Sequence, residues 1–284
     1  MANAITKFKN YVTELDEVYK VASLTSVLDS DSSTVQQGAN VEEIIIPKID
    51  MDGLADYDRS NGYATGDVTF TNETVKCNYE RGRMFVVDSC DNEETAGLAF
   101  GKLSGEFIRT KVVPEVDAVR FAEYSVLAGS KATPAAIAAG KWYEAVSDAM
   151  AQMTDDEVPT ESRYLFITSE GMKDIRNMNT TESKAFVDDF AGVIVVPKSR
   201  FYTAIDLASG NAGGYSKSAT GKNINFLIVE KSAVIQFFKH VAPKVVTPDA
   251  NPDADAWKFG YRVLGLNDAY DNKTKGIYLH ASNV

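Results

Sequence analysis

Between Asn92 and Leu127 the apolar residues Ala96, Ala99, Leu103, Phe107, Val112, Val116 and Val119 recur at three- to five-residue steps. That spacing marks one stripe on a helix. Asp91 or Asn92 stands where a cap belongs, with Glu93 and Glu94 in the first turn. The stripe stops before Gly129, and Pro114 interrupts it. A proline inside a helix costs roughly 3 kcal/mol and kinks or breaks it. A helix running through would be about 50 Å long at roughly 1.5 Å per residue. A compact chain of this length has a radius of gyration of about 19 Å. Such a helix crosses the whole molecule and predicts a flat, elongated subunit built on a spine. The alternative is two helices meeting at Pro114 in an ordinary globule.

The flanking segments are of other kinds. Residues 1–38 have weak apolar periodicity and end near the polar run Ser30–Thr34, so they read as an arm. Residues 41–87 read as one long hairpin. Val41–Ile49 contains Ile44-Ile45-Ile46, and residues 50–66 carry Gly53, Gly62 and Gly66 among aspartates and asparagines. Val68, Phe70, Val75, Cys77 and Tyr79 then alternate with polar residues, and Met84–Val87 closes the run. Alternation means one buried face, yet an isolated two-stranded hairpin is marginal in water. The same chain or another copy must cover it.

From residue 131 the pattern is mixed. Trp142, Ala145, Val146, Ala149 and Met153 predict a helix, and Arg163–Thr168 a buried strand. Ser169 caps a predicted helix over Glu170–Arg176, and Gly192–Val196 is a second buried strand. Residues 209–222 form a small-residue loop before a strand at Asn225–Val229 and a short helix at Ser232–Phe238. Trp257–Leu266 and Gly276–His280 read as paired strands joined through Asn267-Asp268. There is no internal repeat.

Composition bounds the function. A chain of 284 residues with 44% hydrophobic and 24% charged residues suits a folded protein of one large or two moderate domains. No apolar run is long enough to span a bilayer, and the N-terminus does not resemble a secretory signal. A formal charge of −11 argues against gripping phosphates over a broad face. An acidic protein still suits containing DNA without adhering to it. Cys77 and Cys90 read as two reduced thiols.

No residue set carries chemistry, so no catalytic, cofactor-binding or metal residues are assigned. The two histidines, His240 and His280, lack a neighbouring nucleophile or second ligand. Gly214–Asn223 has a mis-spaced glycine and Asn223 where a phosphate loop needs serine or threonine. Asp249, Asp253 and Asp255 lack the glycine turn and terminal glutamate of a calcium loop. Glu42-Glu43 and Asp155-Asp156-Glu157 read as solvated charge.

The order of parts is more telling than any motif. Phe107-Ile108-Arg109 followed by Val112-Val113-Pro114-Glu115-Val116-Asp117-Ala118 resembles the middle of the spine helix of the Hong Kong 97 type of tailed-phage major capsid protein. Phe166-Ile167-Thr168-Ser169-Glu170-Gly171-Met172 resembles the strand-to-helix step of that family's axial domain, and Gly192–Val196 its later axial strand. The resemblance covers nearly the whole chain. It implies an α+β capsid fold with an N-terminal arm at 1–38, an extended hairpin loop at 39–88 and the spine helix of a peripheral domain at 89–130. The axial domain would span 131–245, and 246–284 would return as strands of the peripheral domain.

The implied role is a non-enzymatic shell subunit, assembling with itself into hexamers and pentamers that enclose double-stranded DNA in the virion. Assembly in the bacterial cytoplasm and a portal protein as partner go with that role. The hairpin would lie across an adjacent subunit. Some members carry a scaffolding segment of about a hundred residues at the N-terminus. Here Met1 opens the arm directly, so the expectation is a separate scaffolding protein, or none. Lys48 and Lys76 lie in the hairpin, but nothing marks either for covalent cross-linking. An encapsulin-like shell enclosing cargo protein shares the same implied fold. A soluble α/β enzyme and a phage tail-tube protein are the rivals from other classes.

Overall fold

A computed structural model of the chain describes residues 23–30, 36–37, 43–57, 59, 62–94, 103–178, 180–210 and 213–283. Most of the predicted arm lies outside them, as do Ala96 and Ala99 of the predicted stripe. In chain order, β1 (Gln36–Gln37), β2 (Glu43–Met51) and β3 (Val68–Lys76) make one sheet. β4 (Tyr79–Asp88) leads into a short helix at Ser89–Glu94, whose first turn is held by the Asp88 carboxylate accepting from Cys90 N–H at 2.9 Å. After the spine come β5 (Ser130–Lys131), the helix Trp142–Asp155, β6 (Arg163–Thr168), the helix Ser169–Met178 and β7 (Gly192–Val196). A ribbon of β8 (Ile205–Leu207) and β9 (Tyr215–Lys217) precedes β10 (Ile224–Glu230), β11 (Val234–Val246), β12 (Ala256–Ala269) and β13 (Ile277–Ala281).

The five-stranded sheet has the order β5-β13-β10-β6-β7. Its inner strands are apolar on both faces because both are covered. On one face Leu165, Ile167, Phe226 and Ile228 meet Trp142, Val146, Met153 and Met172 of two helices. Trp142, Val146, Ala149 and Met153 are the buried stripe of the first of these. Its Trp142 ring lies so close over Gly171 that a Cβ there would overlap it. On the opposite face Phe166, Leu227, Val229 and Leu279 meet Phe121 and Tyr124 of the spine.

The spine runs unbroken from Leu103 to Leu127, about 37 Å at ~1.5 Å per residue. Pro114 does not end it. The turn just before, Ile108–Val112, is a π-helix, with Val113 N–H bonded back to Ile108 C=O. Widening the turn makes room for the proline ring, and the missing N–H falls where the helix restarts. The single predicted stripe is only part of the burial, because Pro114–Phe121 are all buried. Val116 and Val119 pack on Tyr79 and Val263, while Phe121 and Tyr124 enter the core of the five-stranded sheet. The helix is sandwiched between two sheets and needs no polar face.

Three assignments from the sequence are corrected. Residues 79–88 leave the hairpin: β4 pairs antiparallel with β12, Phe85 opposite Phe259. The chain turns at Cys77-Asn78, where the Asn78 amide donates to Asn267 C=O at 2.7 Å and its oxygen accepts from Asn267 N–H at 3.1 Å. The predicted helix at Ser232–Phe238 is a single 3-10 turn, Lys231–Ala233, followed by strand β11. There Val234 joins one core, while Ile235 and Phe237 join another across the strand, as a two-residue period requires. Trp257–Leu266 and Gly276–His280 do not pair with each other. The former lies in the sheet β11-β12-β4 and the latter in the five-stranded sheet. Asn267 and Asp268 sit inside β12, opposite Gln236 and Ile235, so they are not a turn.

Candidate assembly surfaces

The middle of the spine carries charges where none was sought. Asp117 is fully buried, and its carboxylate accepts five hydrogen bonds. Oδ1 takes Ser23 Oγ (3.1 Å), Thr25 N–H (3.3 Å) and Thr25 Oγ1 (2.7 Å), and Oδ2 takes Leu24 N–H (3.1 Å) and Arg200 Nη1 (3.0 Å). One turn on, buried Arg120 donates from Nε to Asn267 Oδ1 at 3.1 Å and from Nη1 to Thr25 Oγ1 at 3.0 Å. Its Nη2 lies 3.3 Å from Asp29 Oδ1, and the guanidinium stands 4.7 Å from the Phe238 ring centre. Gln236 Nε2 donates to Thr25 C=O at 2.7 Å and to Asp29 Oδ1 at 2.6 Å, and its oxygen accepts from Tyr124 OH.

Burial lowers the pKa of the Arg120 guanidinium, against the pull of Asp29 and Asp117, and burial pushes the Tyr124 hydroxyl up. On the other side of the spine Glu115 accepts from Arg81 Nε at 2.9 Å and Tyr79 OH at 3.2 Å. Burial first, then Glu115, raises the Tyr79 pKa. This network is a clamp. Both oxygens of Asp117 take donors, and the network ties Ser23–Ser30 to the spine, to β11 and to β12.

The β2–β3 hairpin is the reverse case. Near its base Ile46 is buried with Ile235, Phe237 and Leu266. On the opposite face, toward the tip, Ile49 faces Phe70 and Met51 faces Val68. These four apolar side chains are 51–67% exposed. Beyond them Tyr57 and Tyr63 touch edge to face at 4.9 Å, and Leu54 is fully exposed. On edge strand β11, Val241 and Val245 are also about half exposed, because the spine packs against β4 and β12. Contiguous exposed apolar side chains of this kind mark interaction sites.

The residues weighed for chemistry lie apart. His240 is exposed on β11. His280 is half-buried in β13, with Nδ1 3.1 Å from Asn225 Nδ2, and burial lowers its pKa. Gly214–Asn223 crosses β9 and a turn into strand β10, so no helix N-terminus waits behind it for a phosphate. Asp253 pairs with Lys258, Asp255 accepts from Ser89 Oγ at 2.8 Å and Asp249 is exposed. Asp156 pairs with Lys275 at 2.6 Å. Cys77 and Cys90 are not joined in a disulfide, and Cys90 is exposed. Glu42 and the side chains of Glu43 and Lys48 lie outside the described residues, and Lys76 is exposed. Among the described residues no group of histidine, cysteine and carboxylates is placed to hold a metal.

Sequence reading missed Asp117, Arg120, Arg200, Gln236 and Thr25. The available signal was Glu115, Asp117 and Arg120 standing inside an apolar helical run, where their angular spread fits no single solvent face.

No protein-family model matches the sequence, nor does any curated protein. Solved structures do. A chain from the capsid structure of the cyanophage P-SCSP1u superposes with a TM-score of 0.68 at 12% identity, covering 97% of this chain and 92% of that one. A chain from the mature capsid of bacteriophage PhiM1 gives 0.67 at 9% identity, with the same coverage of 97% and 92%. A chain of Mycobacterium phage Che8 gives 0.65 at 12% identity over 96% of this chain and 98% of that one. The chain thus has the fold of these phage capsid chains over nearly its whole length.

Proposed function

We propose that the chain is the shell subunit of a tailed-phage head, a structural protein and not an enzyme. Copies gather into hexamers and pentamers that close into an icosahedral shell around double-stranded DNA. The observation that carries this reading is the hairpin. A capsid-fold chain leaves Ile49, Met51, Val68 and Phe70 uncovered on an arm of two nine-residue strands, and a second copy supplies the cover. The acidic balance fits enclosure of DNA without site-by-site binding. A portal protein and a separate scaffolding protein are the partners such a shell calls for, within the host cytoplasm.

The division of labour follows the sheets. The five-stranded sheet and its helices, within 131–245 plus the last strand, form the axial domain around the five- and six-fold axes. The spine from 89–130 and the sheet β11-β12-β4 form the peripheral domain, the hairpin within 39–88 reaches a neighbour, and 1–38 is the arm. The test is negative-stain electron microscopy and sizing of the chain expressed alone and with its scaffolding protein. Closed shells, tubes or rings of five or six support the reading, and nucleic acid as contents separates a phage head from a compartment holding protein cargo. A monomer under every condition overturns it.

A further inference from the structure

Three segments meet at one side-chain amide. Asn225 lies at an irregular step of β10, where the register against β13 slips between Ile224 and Phe226. Its Nδ2 donates to Ala135 C=O at 2.9 Å and stands 3.1 Å from His280 Nδ1 on β13. Ala135 belongs to the run that follows β5 along the edge of the five-stranded sheet. There Ala132 N–H donates to Leu279 C=O at 2.9 Å, and Ala135 N–H to Ala281 C=O at 3.0 Å. Ala132 and Ile137 of this run pack against the core under the Trp142–Asp155 helix.

These bonds fix the state of the imidazole. A carbonyl only accepts, so the Asn225 atom against Ala135 is the nitrogen. The same nitrogen therefore donates to His280 Nδ1, and the neutral ring carries its proton on Nε2. The Phe226 ring stands 5.0 Å away, centre to centre, and burial lowers the histidine pKa against the pull of its own backbone hydrogen bond. Charged groups on the surrounding elements are turned to other partners. Lys131 donates to Val126 C=O at 3.0 Å, Lys141 pairs with Glu144 at 2.6 Å, Asp174 accepts from Gly140 N–H at 2.9 Å, and Asp148 acts on Tyr278.

A proton on Nδ1 disrupts this arrangement whichever way the amide turns. As it stands, two donors would face each other across 3.1 Å. Rotated, the Asn225 oxygen accepts from Nδ1 but opposes the Ala135 carbonyl, so two acceptors meet. One of the two bonds is lost in either state. We propose that His280 is a proton latch: charging its ring releases Ala135 and loosens the run 132–140 from the edge of the five-stranded sheet. The closed form binds fewer protons than the open one. The latch is therefore fully closed above the ordinary histidine range and opens as pH falls through that range toward the lower folded value. This device belongs to the folded subunit and stands apart from the shell-subunit reading.

The test is hydrogen–deuterium exchange of the full chain, corrected for the intrinsic rate, at about pH 7.5 and about pH 5, on either side of the ordinary histidine value. Protection of 132–140 should fall several-fold in acid relative to that of the inner strand β6. His280→Gln keeps an acceptor for Asn225 and cannot be charged, so its protection should be equal at both pH values. His240→Gln, at an exposed position on β11, should behave as wild type. Asn225→Ala should leave the run weakly protected at both. If His280→Gln does not fold, NMR of the wild-type ring decides: His280 should titrate below His240 and carry its proton on Nε2 at neutral pH. Equal wild-type protection at the two pH values, an acid loss that His280→Gln shares, or a neutral ring protonated on Nδ1 overturns the latch.

Discussion

The spine and the hairpin invert the usual rule in opposite directions. Around Asp117 and Arg120 the spine buries charge, and the hairpin from Ile49 to Phe70 exposes apolar side chains. The two departures are resolved at different levels. Asp117, Arg120 and Arg200 find charged or polar partners within the chain, which offset the cost of their desolvation as the subunit folds. The hairpin's apolar face finds no cover among the described residues, so we expect its stabilisation to come with association. The spine therefore governs whether a subunit folds, and the hairpin governs whether folded subunits stay together.

The sharpest way to break that comparison is Asp117→Ala. It strips five hydrogen bonds and leaves the Arg200 guanidinium buried without its carboxylate. The expected loss is about 3–5 kcal/mol of folding stability, read by chemical denaturation, together with faster proteolysis near Ser23–Ser30. A loss below about 1 kcal/mol would mean the clamp is incidental. Next is Ile49→Ser with Phe70→Ser. Subunit stability should stay within about 0.5 kcal/mol of wild type, since both side chains are exposed. The concentration needed for assembly should rise about tenfold or more, equivalent to at least ~1.4 kcal/mol. Deleting 53–66 should likewise leave a folded subunit that assembles poorly, and wild-type-like shells from it would break the comparison from the hairpin side.

Tyr124→Phe removes the hydroxyl that donates to Gln236 and should cost about 1 kcal/mol of folding stability, with assembly changed only through that loss. The smallest effect is expected at Glu123. Burial first, then the nearby Asp268, raises its carboxyl pKa, so the cost of ionising it is absent at low pH and appears as pH rises through the folded value. Glu123→Gln should add about 0.5 kcal/mol at neutral pH and nothing below the ordinary carboxylate range. Denaturation curves at the two pH values give both numbers, and an equal gain at both would assign the effect to packing.

Legibility in the sequence followed the range of the forces involved. Locally periodic elements were readable: the helix at Trp142–Asp155 and the strands Arg163–Thr168 and Gly192–Val196, whereas the periodicity left open whether one helix or two meet at Pro114. The misread elements depended on distant partners. Val234–Phe238 has an apolar run short enough for helix or strand, and pairing with β12 decides it. Asn267-Asp268 looks like a turn until Arg120 and Asn78, far away in the chain, hold Asn267 inside a strand. The clamp was not legible, because a buried Asp117 with five donors looks in sequence like any other aspartate on a helix.

By itself the sequence determined the kinds of most elements, their order and the surplus of apolar side chains on the hairpin, because helix and strand periods are properties of neighbouring residues. Only the tertiary structure decided which sheet each strand joined, which charges were buried and which apolar face stayed open. Those outcomes depend on contacts between residues many tens to hundreds of positions apart, such as Thr25 with Asp117 and Gln236 with Asp29. No local pattern encodes where a distant partner will be.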